Sequence, residues 1–286
     1  MEEKAVIEDD GPIKDVTIWA TLDGHVAAPR GDLVVHWFRT AIDFFFSSGA
    51  KETADSYAVV AESLRGGRDT KLKDVRKNWS TLADALRQHP FYAAVGFHEP
   101  SVDEDEWVDE YGHVGSQHKG RGGTHTELSA FLPGGDRIAD PVFCAGLLDF
   151  LATALDGANP VFARVDHLNV HDTPDLEAAL RRTHRRYLRE SRTYLRGYSW
   201  VTGVPSELAA RLGGAQRVAD TGAFHAVREL RGGGLLLQAT ETLAGYDDEA
   251  MRKVFRALAP VLPPGIPEHD PARENLRIVF EDASGV

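Results

Sequence analysis

Apolar residues recur along this chain with two periods, and the switches between them mark out its elements. From Asp15 to Leu22, Val16, Ile18 and Ala20 alternate with Thr17, Trp19 and Thr21, the pattern of a strand with two usable faces. Val34, Phe38, Ala41 and Phe45 then share one 3.6-period stripe with Trp37 and Phe44 beside it, and Ser47-Ser48-Gly49 stops that helix. Lys51 to Arg65 and Lys71 to Gln88 read as two further helices separated by Gly66-Gly67, with Val75, Trp79, Leu82 and Leu86 on the core side of the second. Strands follow at 91–98 and 124–132, the latter stopped by Pro133-Gly134-Gly135. Pro141 opens an apolar helix to Leu155, and Val161 to Val170 reads as a fourth strand.

Thr173 as N-cap and Pro174 in the first turn start a helix to Leu195 with Leu176, Leu180, Tyr187 and Tyr194 on one face. Its other faces carry Arg181, Arg185, Arg189, Arg192 and Arg196, which suit either a solvated connecting helix or a docking stripe for an acidic surface. Tyr198 to Val204 is β-branched and aromatic, a strand, and Pro205 to Leu212 is a short helix ended by Gly213. Ala223–Leu230 and Leu235–Thr240 form a hairpin around Gly232-Gly233-Gly234, Asp247 caps a helix carrying Met251, Val254, Phe255 and Leu258, and Leu276 to Phe280 supplies a last strand. Apart from the extra helices, both parts read β-α-β-β-α-β. The expected fold is α+β, with two ferredoxin-like halves at 15–172 and 173–286, additional helices in the first, and a disordered acidic tail at 1–14. Helix 173–195 joins the halves, and Trp200, Leu236 and Phe255 are expected in the core of the second.

Composition narrows the functional classes. With 286 residues and 42% hydrophobic content the chain can bury a substantial core, while a net charge of −12 disfavours direct nucleic-acid binding and suits a basic protein partner. No run approaches the ~18 apolar residues of a membrane helix, and the acidic start Met1-Glu2-Glu3 is unlike a signal peptide, so a cytoplasmic protein with no membrane partner is expected. The single cysteine, Cys144, lies in an apolar run and reads as a buried inert thiol.

Two patterns carry candidate chemistry. His98, His113, His118 and His125 fall in or beside a polar stretch between the second and third strands and could supply imidazoles to zinc or iron, although their spacing matches no metal motif. No cofactor is expected otherwise: G-x-S-x-G is missing, and Gly120-Arg121-Gly122-Gly123 lacks the ending of a phosphate-binding loop. The same polar stretch holds Asp103, Glu104, Asp105, Glu106, Trp107, Asp109, Glu110 and Tyr111, acids interleaved with aromatics. A purely solvating run has no use for Trp107 and Tyr111, whereas aromatic anchors in a charged frame are what protein interfaces use.

The stretch RGYSWVTGVPSELAARLGG at 196–214, with GAFHAVRELRGGGLLLQAT and YDDEAMRKVFRALAPVLPPGIP after it, resembles the C-terminal half of a bacterial immunity-protein family linked to type VI secretion nuclease effectors, and actinobacterial relatives of that family. The similarity covers residues 174–267 and is carried by structural positions, Gly197-Tyr198-Ser199-Trp200 and Leu212-Gly213-Gly214. It implies an immunity protein that occludes the active site of a nuclease-like toxin with a basic cleft. The alternative expectation is a biosynthetic enzyme that uses the histidine-rich stretch, with or without a metal.

Overall fold

The computed structural model describes residues 15–23, 30–47, 55–61, 69–98, 110–119, 124–167, 173–270, 273 and 276–286. In chain order the elements are β1 (Asp15–Leu22), α1 (Arg30–Ser47), β2 (Asp55–Ala61), β3 (Thr70–Lys73), α2 (Trp79–Arg87), β4 (Tyr92–His98), β5 (Glu110–Lys119), β6 (His125–Pro133), α3 (Pro141–Ala154) and β7 (Phe162–His167). They continue with α4 (Asp175–Ala179), α5 (His184–Glu190), β8 (Val201–Val204), α6 (Ser206–Arg211), α7 (Gly214–Ala219), β9 (Ala226–Glu229), β10 (Leu235–Gln238) and α8 (Asp248–Leu258). The strands make a single antiparallel sheet in the order β3-β2-β4-β5-β6-β1-β7-β8-β10-β9. No helix among the described residues is long and apolar enough to cross a membrane.

One face of this sheet is built from the residues a period-2 pattern selects. Val16, Ile18 and Ala20 of β1, Val95 and Phe97 of β4, and Leu128 and Ala130 of β6 are all buried, under Trp37 and Phe38 of α1 and Leu147 and Phe150 of α3. The Trp37 indole N–H donates to the Ser129 carbonyl at 3.3 Å, and Phe44 stacks on Phe150 with centroids 5.4 Å apart, which fixes α1 and α3 to the sheet and to each other. The Asp140 carboxylate caps α3 by accepting from Val142 N–H at 2.9 Å, with Pro141 at the first position.

The strand order β7-β1-β6-β5, with α1 and α3, has β-α-β-β-α-β connectivity, but its hairpin is β5-β6; the strands expected to be neighbours, 91–98 and 124–132, are separated by β5. The division into two ferredoxin-like halves is not what the sheet shows. Among the described residues the first part holds seven strands, because β2, β3 and β4 extend the sheet beyond β5, and β8 pairs directly with β7 so that the sheet runs unbroken into the second part. At that seam Gly203 faces Ala163, and a Cβ on Gly203 would stand 2.5 Å from the Ala163 Cβ and 2.9 Å from its backbone nitrogen. Only a glycine lets the two strands approach this closely.

Several elements differ from the sequence reading. Residues 55–61, taken into a helix, form β2: Ser56, Ala58 and Val60 are buried while Tyr57, Val59 and Ala61 are half-buried, a true alternation among β-branched and aromatic residues. The following helix begins only at Trp79, after strand β3. The polar stretch before the third strand contains β5, whose Gly112, Gly115 and polar side chains hide its strand character. The helix expected over 173–195 is two short ones, broken where Arg181 takes a left-handed φ of 48° and Arg182 N–H folds back to the Glu177 carbonyl. No strand forms among the described residues of 276–280. Side chains take the N–H groups a ladder would use: Arg277 N–H donates to Asp175 at 3.0 Å and Val279 N–H to the Tyr198 hydroxyl at 2.7 Å. The hairpin of β9 and β10, the Asp247 cap on α8 and the burial of Trp200, Leu236 and Phe255 are as expected.

Candidate functional site

The second face of the sheet positions the polar chemistry. Strand register lays Tyr57, Gly96, His113, Phe131, Thr17 and Asp166 abreast across β2, β4, β5, β6, β1 and β7. The adjacent row runs Val59, Ala94, Gly115, Ser129, Trp19 and Arg164. Over β2 to β6 this face is half-exposed, with Tyr57, Tyr92, His113, Gln117 and Phe131 all partly accessible. Over β1 and β7 it is covered by α4 and by the chain at Arg277, and Thr17, Thr21, Arg164 and Asp166 are buried.

The acidic-aromatic residues Asp103, Glu104, Asp105, Glu106, Trp107 and Asp109 lie outside the described residues. Their attachment points are described: β4 ends at His98, β5 begins at Glu110 and Tyr111, and His98 pairs with Glu110, so the 99–109 connection leaves and re-enters the sheet at one end. His98 marks that end. His113 stands on the half-exposed face, with its ring 6.1 Å from the Phe131 ring. His118, five residues along β5, is on the opposite face, because side chains alternate along a strand. His125 opens β6 opposite Lys119, with Thr124 Oγ1 3.0 Å from its Nδ1. The four histidines are therefore distributed over two faces and two ends of the sheet, and among the described residues no group of three or more His, Cys, Asp or Glu side chains is arranged to hold a metal ion.

His118 instead meets His89, which nothing in its local sequence singled out. Their Nε2 atoms are 3.0 Å apart, and His89 Nε2 is also 2.9 Å from Thr126 Oγ1. His89 occupies a left-handed turn (φ 51°) after α2 that points it at β5 and β6. Burial, then His118, then Arg30 hold its pKa down to about 4, and burial with Arg30 also lowers His118. Both rings are thus neutral near pH 7, one Nε2 donating and the other accepting.

Beneath α4 the buried charges form a connected group. Arg196 donates from Nε to Glu177 Oε1 at 3.2 Å, from Nη2 to Oε2 at 3.3 Å and from Nη1 to Thr21 Oγ1 at 2.8 Å, and its guanidinium lies 4.2 Å from the Tyr187 ring centroid. Burial outweighs the Arg196 charge and raises the Glu177 pKa to about 7. Beside this pair, Arg164 is fully enclosed and senses Asp166 and Asp175; burial lowers its pKa and raises that of Asp175. Arg277 closes the group from above, donating its backbone N–H to Asp175 and a guanidinium N–H to the Tyr246 carbonyl, with its Cζ 5.2 Å from the Tyr246 ring centroid. The arginines of 181–196 are largely engaged within the molecule: Arg181 with Glu268 at 2.7 Å, Arg182 with Glu190 at 2.7 Å, and Arg192 with both Asp23 and Glu207 at 2.7 Å. Cys144 is buried between the Ile138 carbonyl and Leu243 N–H, and burial pushes its thiol up, away from the reactive thiolate.

No protein-family model and no curated protein matches the chain. Among solved structures it is similar to the T6SS protein PA0821 of Pseudomonas aeruginosa, with a TM-score of 0.57 and 14% sequence identity over 93% of this chain and 79% of that one. At this identity the likeness is one of fold.

Proposed function

We propose that this chain is a binding protein related to type VI secretion, acting in the cytoplasm as an immunity protein that covers the basic cleft of a nuclease toxin. The observation that supports this reading is the fold likeness to a T6SS protein along 93% of the chain. The contact would be made by the acidic-aromatic connection, with Asp103, Glu104, Asp105, Glu106, Asp109 and Glu110 as the charged frame and Trp107 and Tyr111 as anchors. A nuclease cleft is positive because its substrate carries phosphates, so a row of carboxylates competes for it, speeding encounter, while an aromatic filling an apolar pocket slows release. The connection is anchored at both ends in neighbouring strands of a ten-stranded sheet, which limits the ordering entropy lost on binding.

The test is binding to candidate nuclease toxins, followed by surface plasmon resonance at several salt concentrations. Replacing Asp103, Glu104, Asp105 and Glu106 by their amides should slow association and flatten its salt dependence. Trp107→Ala should chiefly speed dissociation, by roughly 2 kcal/mol or more if it is a hot spot. Unchanged affinity after residues 103–109 are exchanged for a Gly-Ser linker would overturn the assignment of this contact.

A further inference from the structure

Three arginines of the stretch 181–196 stand apart from those engaged within the molecule. The helix α5 turns Tyr187 and Leu188 inward, where both are buried, and Ser191 Oγ donates to the Leu188 carbonyl at 2.9 Å just past its end. Arg185, Arg186 and Arg189 are exposed on the same helix. Arg189 lies three and four residues beyond the other two, a spacing that sets Cβ atoms about 5–6 Å apart, so the three side chains share one patch. The carboxylate that meets this patch is Glu190. Its Oε2 accepts from Arg182 Nη2 at 2.7 Å and its Oε1 from Arg186 Nε at 3.3 Å, with Arg189 Nη2 3.6 Å from Oε1.

The charges here do not balance. Arg182, whose side chain is 7% exposed, is enough to neutralise Glu190, which leaves Arg185, Arg186 and Arg189 in excess. The side chains of Arg186 and Arg189 are 59% and 74% exposed, and Arg185 makes no ion pair among the described residues. A guanidinium carries five N–H donors, and Arg186 uses only its Nε here. Like charges four apart on a helix repel, so α5 gains no stability from carrying Arg185 and Arg189 together. On a chain of net charge −12 the patch is a local reversal of sign, held on a helix whose inner face is packed and whose geometry is therefore set before anything binds.

The kind of anion follows from the same geometry. A carboxylate already sits against these guanidinium groups, and further carboxylates can take the N–H donors that remain. A nucleic acid suits the patch poorly, because its affinity comes from phosphates neutralised along a length of backbone, and three cations on one helical turn are surrounded by an acidic protein. A single exposed ion pair contributes little, so recognition calls for several carboxylates presented together. We propose that the outer face of α5 docks an acidic segment of a partner protein, a run of Asp and Glu received by Arg185, Arg186 and Arg189. The surface is separate from the toxin contact. Just beyond α5, Arg192 grips Asp23 at 2.7 and 2.8 Å, where β1 has ended, whereas the 99–109 connection leaves the sheet past the row of His113, Phe131 and Thr17, where β1 begins.

The experiment is fluorescence anisotropy of a labelled decaglutamate peptide titrated with the full chain, at sodium chloride from about 50 to 200 mM. The expected result is saturable binding that weakens as salt rises and is roughly tenfold or more weaker in the double variant Arg185→Glu, Arg189→Glu. The variant Arg217→Glu, Arg252→Glu makes the same change of net charge at exposed positions of α7 and α8, and should stay within about threefold of the wild type. Should the charge reversal unfold α5, Arg185→Gln with Arg189→Gln removes the charges without reversing them and carries the test, with circular dichroism as the check on the fold. The proposal is overturned by absence of saturable peptide binding, by equal loss in the Arg217 and Arg252 variant, or by tighter binding of a single-stranded oligonucleotide of matched charge. Self-association of the wild type that the Arg185 and Arg189 substitutions abolish would also overturn it, since the acidic partner would then be a second copy of this chain.

Discussion

Replacing Arg196 by methionine removes a cation from one of the least accessible places in the molecule, where its side chain is 3% exposed and that of Glu177 is 1% exposed. Methionine keeps much of the aliphatic stem packed near Phe162 and Tyr187, so the loss concentrates in the two bonds to Glu177 and the one to Thr21. Breaking a buried pair from one side costs about 3–5 kcal/mol when the remaining group stays charged. Here it need not. In the wild type the folded pKa of Glu177, about 7, lies above its unfolded value of 4.5, so the folded state holds this proton more tightly and stability falls as pH rises from 4.5 to 7, then levels off. Without Arg196 the folded pKa is higher still, so in the variant the fall continues beyond 7, by up to ~1.4 kcal/mol per pH unit. Urea unfolding followed by circular dichroism should therefore give a cost of roughly 2 kcal/mol near pH 6 and about 3–5 kcal/mol near pH 8.5. An equal cost at both pH values would show that Glu177 is ionised throughout, and a cost below about 1 kcal/mol at the higher pH would show that the pair is not sealed from water.

Three further outcomes follow from the packing. Trp200→Ala should destabilise by about 3–5 kcal/mol, since the side chain is fully buried and its N–H donates to the Thr240 carbonyl at 2.9 Å; an unchanged urea midpoint would contradict this. Gly203→Ala should cost about 1–3 kcal/mol or more by forcing β7 and β8 apart, with loss of hydrogen-exchange protection at Arg164 and Thr202; retained protection would show that the seam can relax. Because the folded pKa of His89 lies below its unfolded value, stability should be lost as pH falls from about 6.5 through about 4, and His89→Gln should lessen that acid loss, which a pH series of melting temperatures would detect.

What the sequence disclosed depended on how strictly each segment kept its period. The helix α8 was legible to its cap because Asp247 and the Met251, Val254, Phe255 and Leu258 stripe agree, and β1 because its two faces differ so clearly. Strand β2 was misread because Ala58, Val59 and Val60 are apolar in succession, and its half-buried outer face blurs the alternation. Strand β5 was missed because its partners, β4 and β6, supply the burial that its own glycines and histidines do not advertise. The helix expected at 173–195 carried a sound apolar pattern, yet the contacts of Glu177 and Arg196 bend the chain back on itself, an override that only tertiary structure contains. The buried group under α4 was invisible for the same reason: Thr21, Glu177 and Arg196 are scattered through the chain and meet only in the folded molecule.

The place of β1 in the sheet also governs the order in which the protein can be made. Residues 15–22 pair on one side with 126–133 and on the other with 162–167, so the central strand is synthesised well before either neighbour exists. At a translation rate of ~5–20 residues per second the interval is on the order of ten seconds, during which both edges of a strand rich in Val, Ile and Trp are open to other chains. The helix α1 follows immediately and can cover Val16, Ile18 and Ala20, but it cannot satisfy the strand's N–H and C=O groups. A nascent chain stalled before residue 125 should therefore require a chaperone, and one released after residue 167 should need it far less.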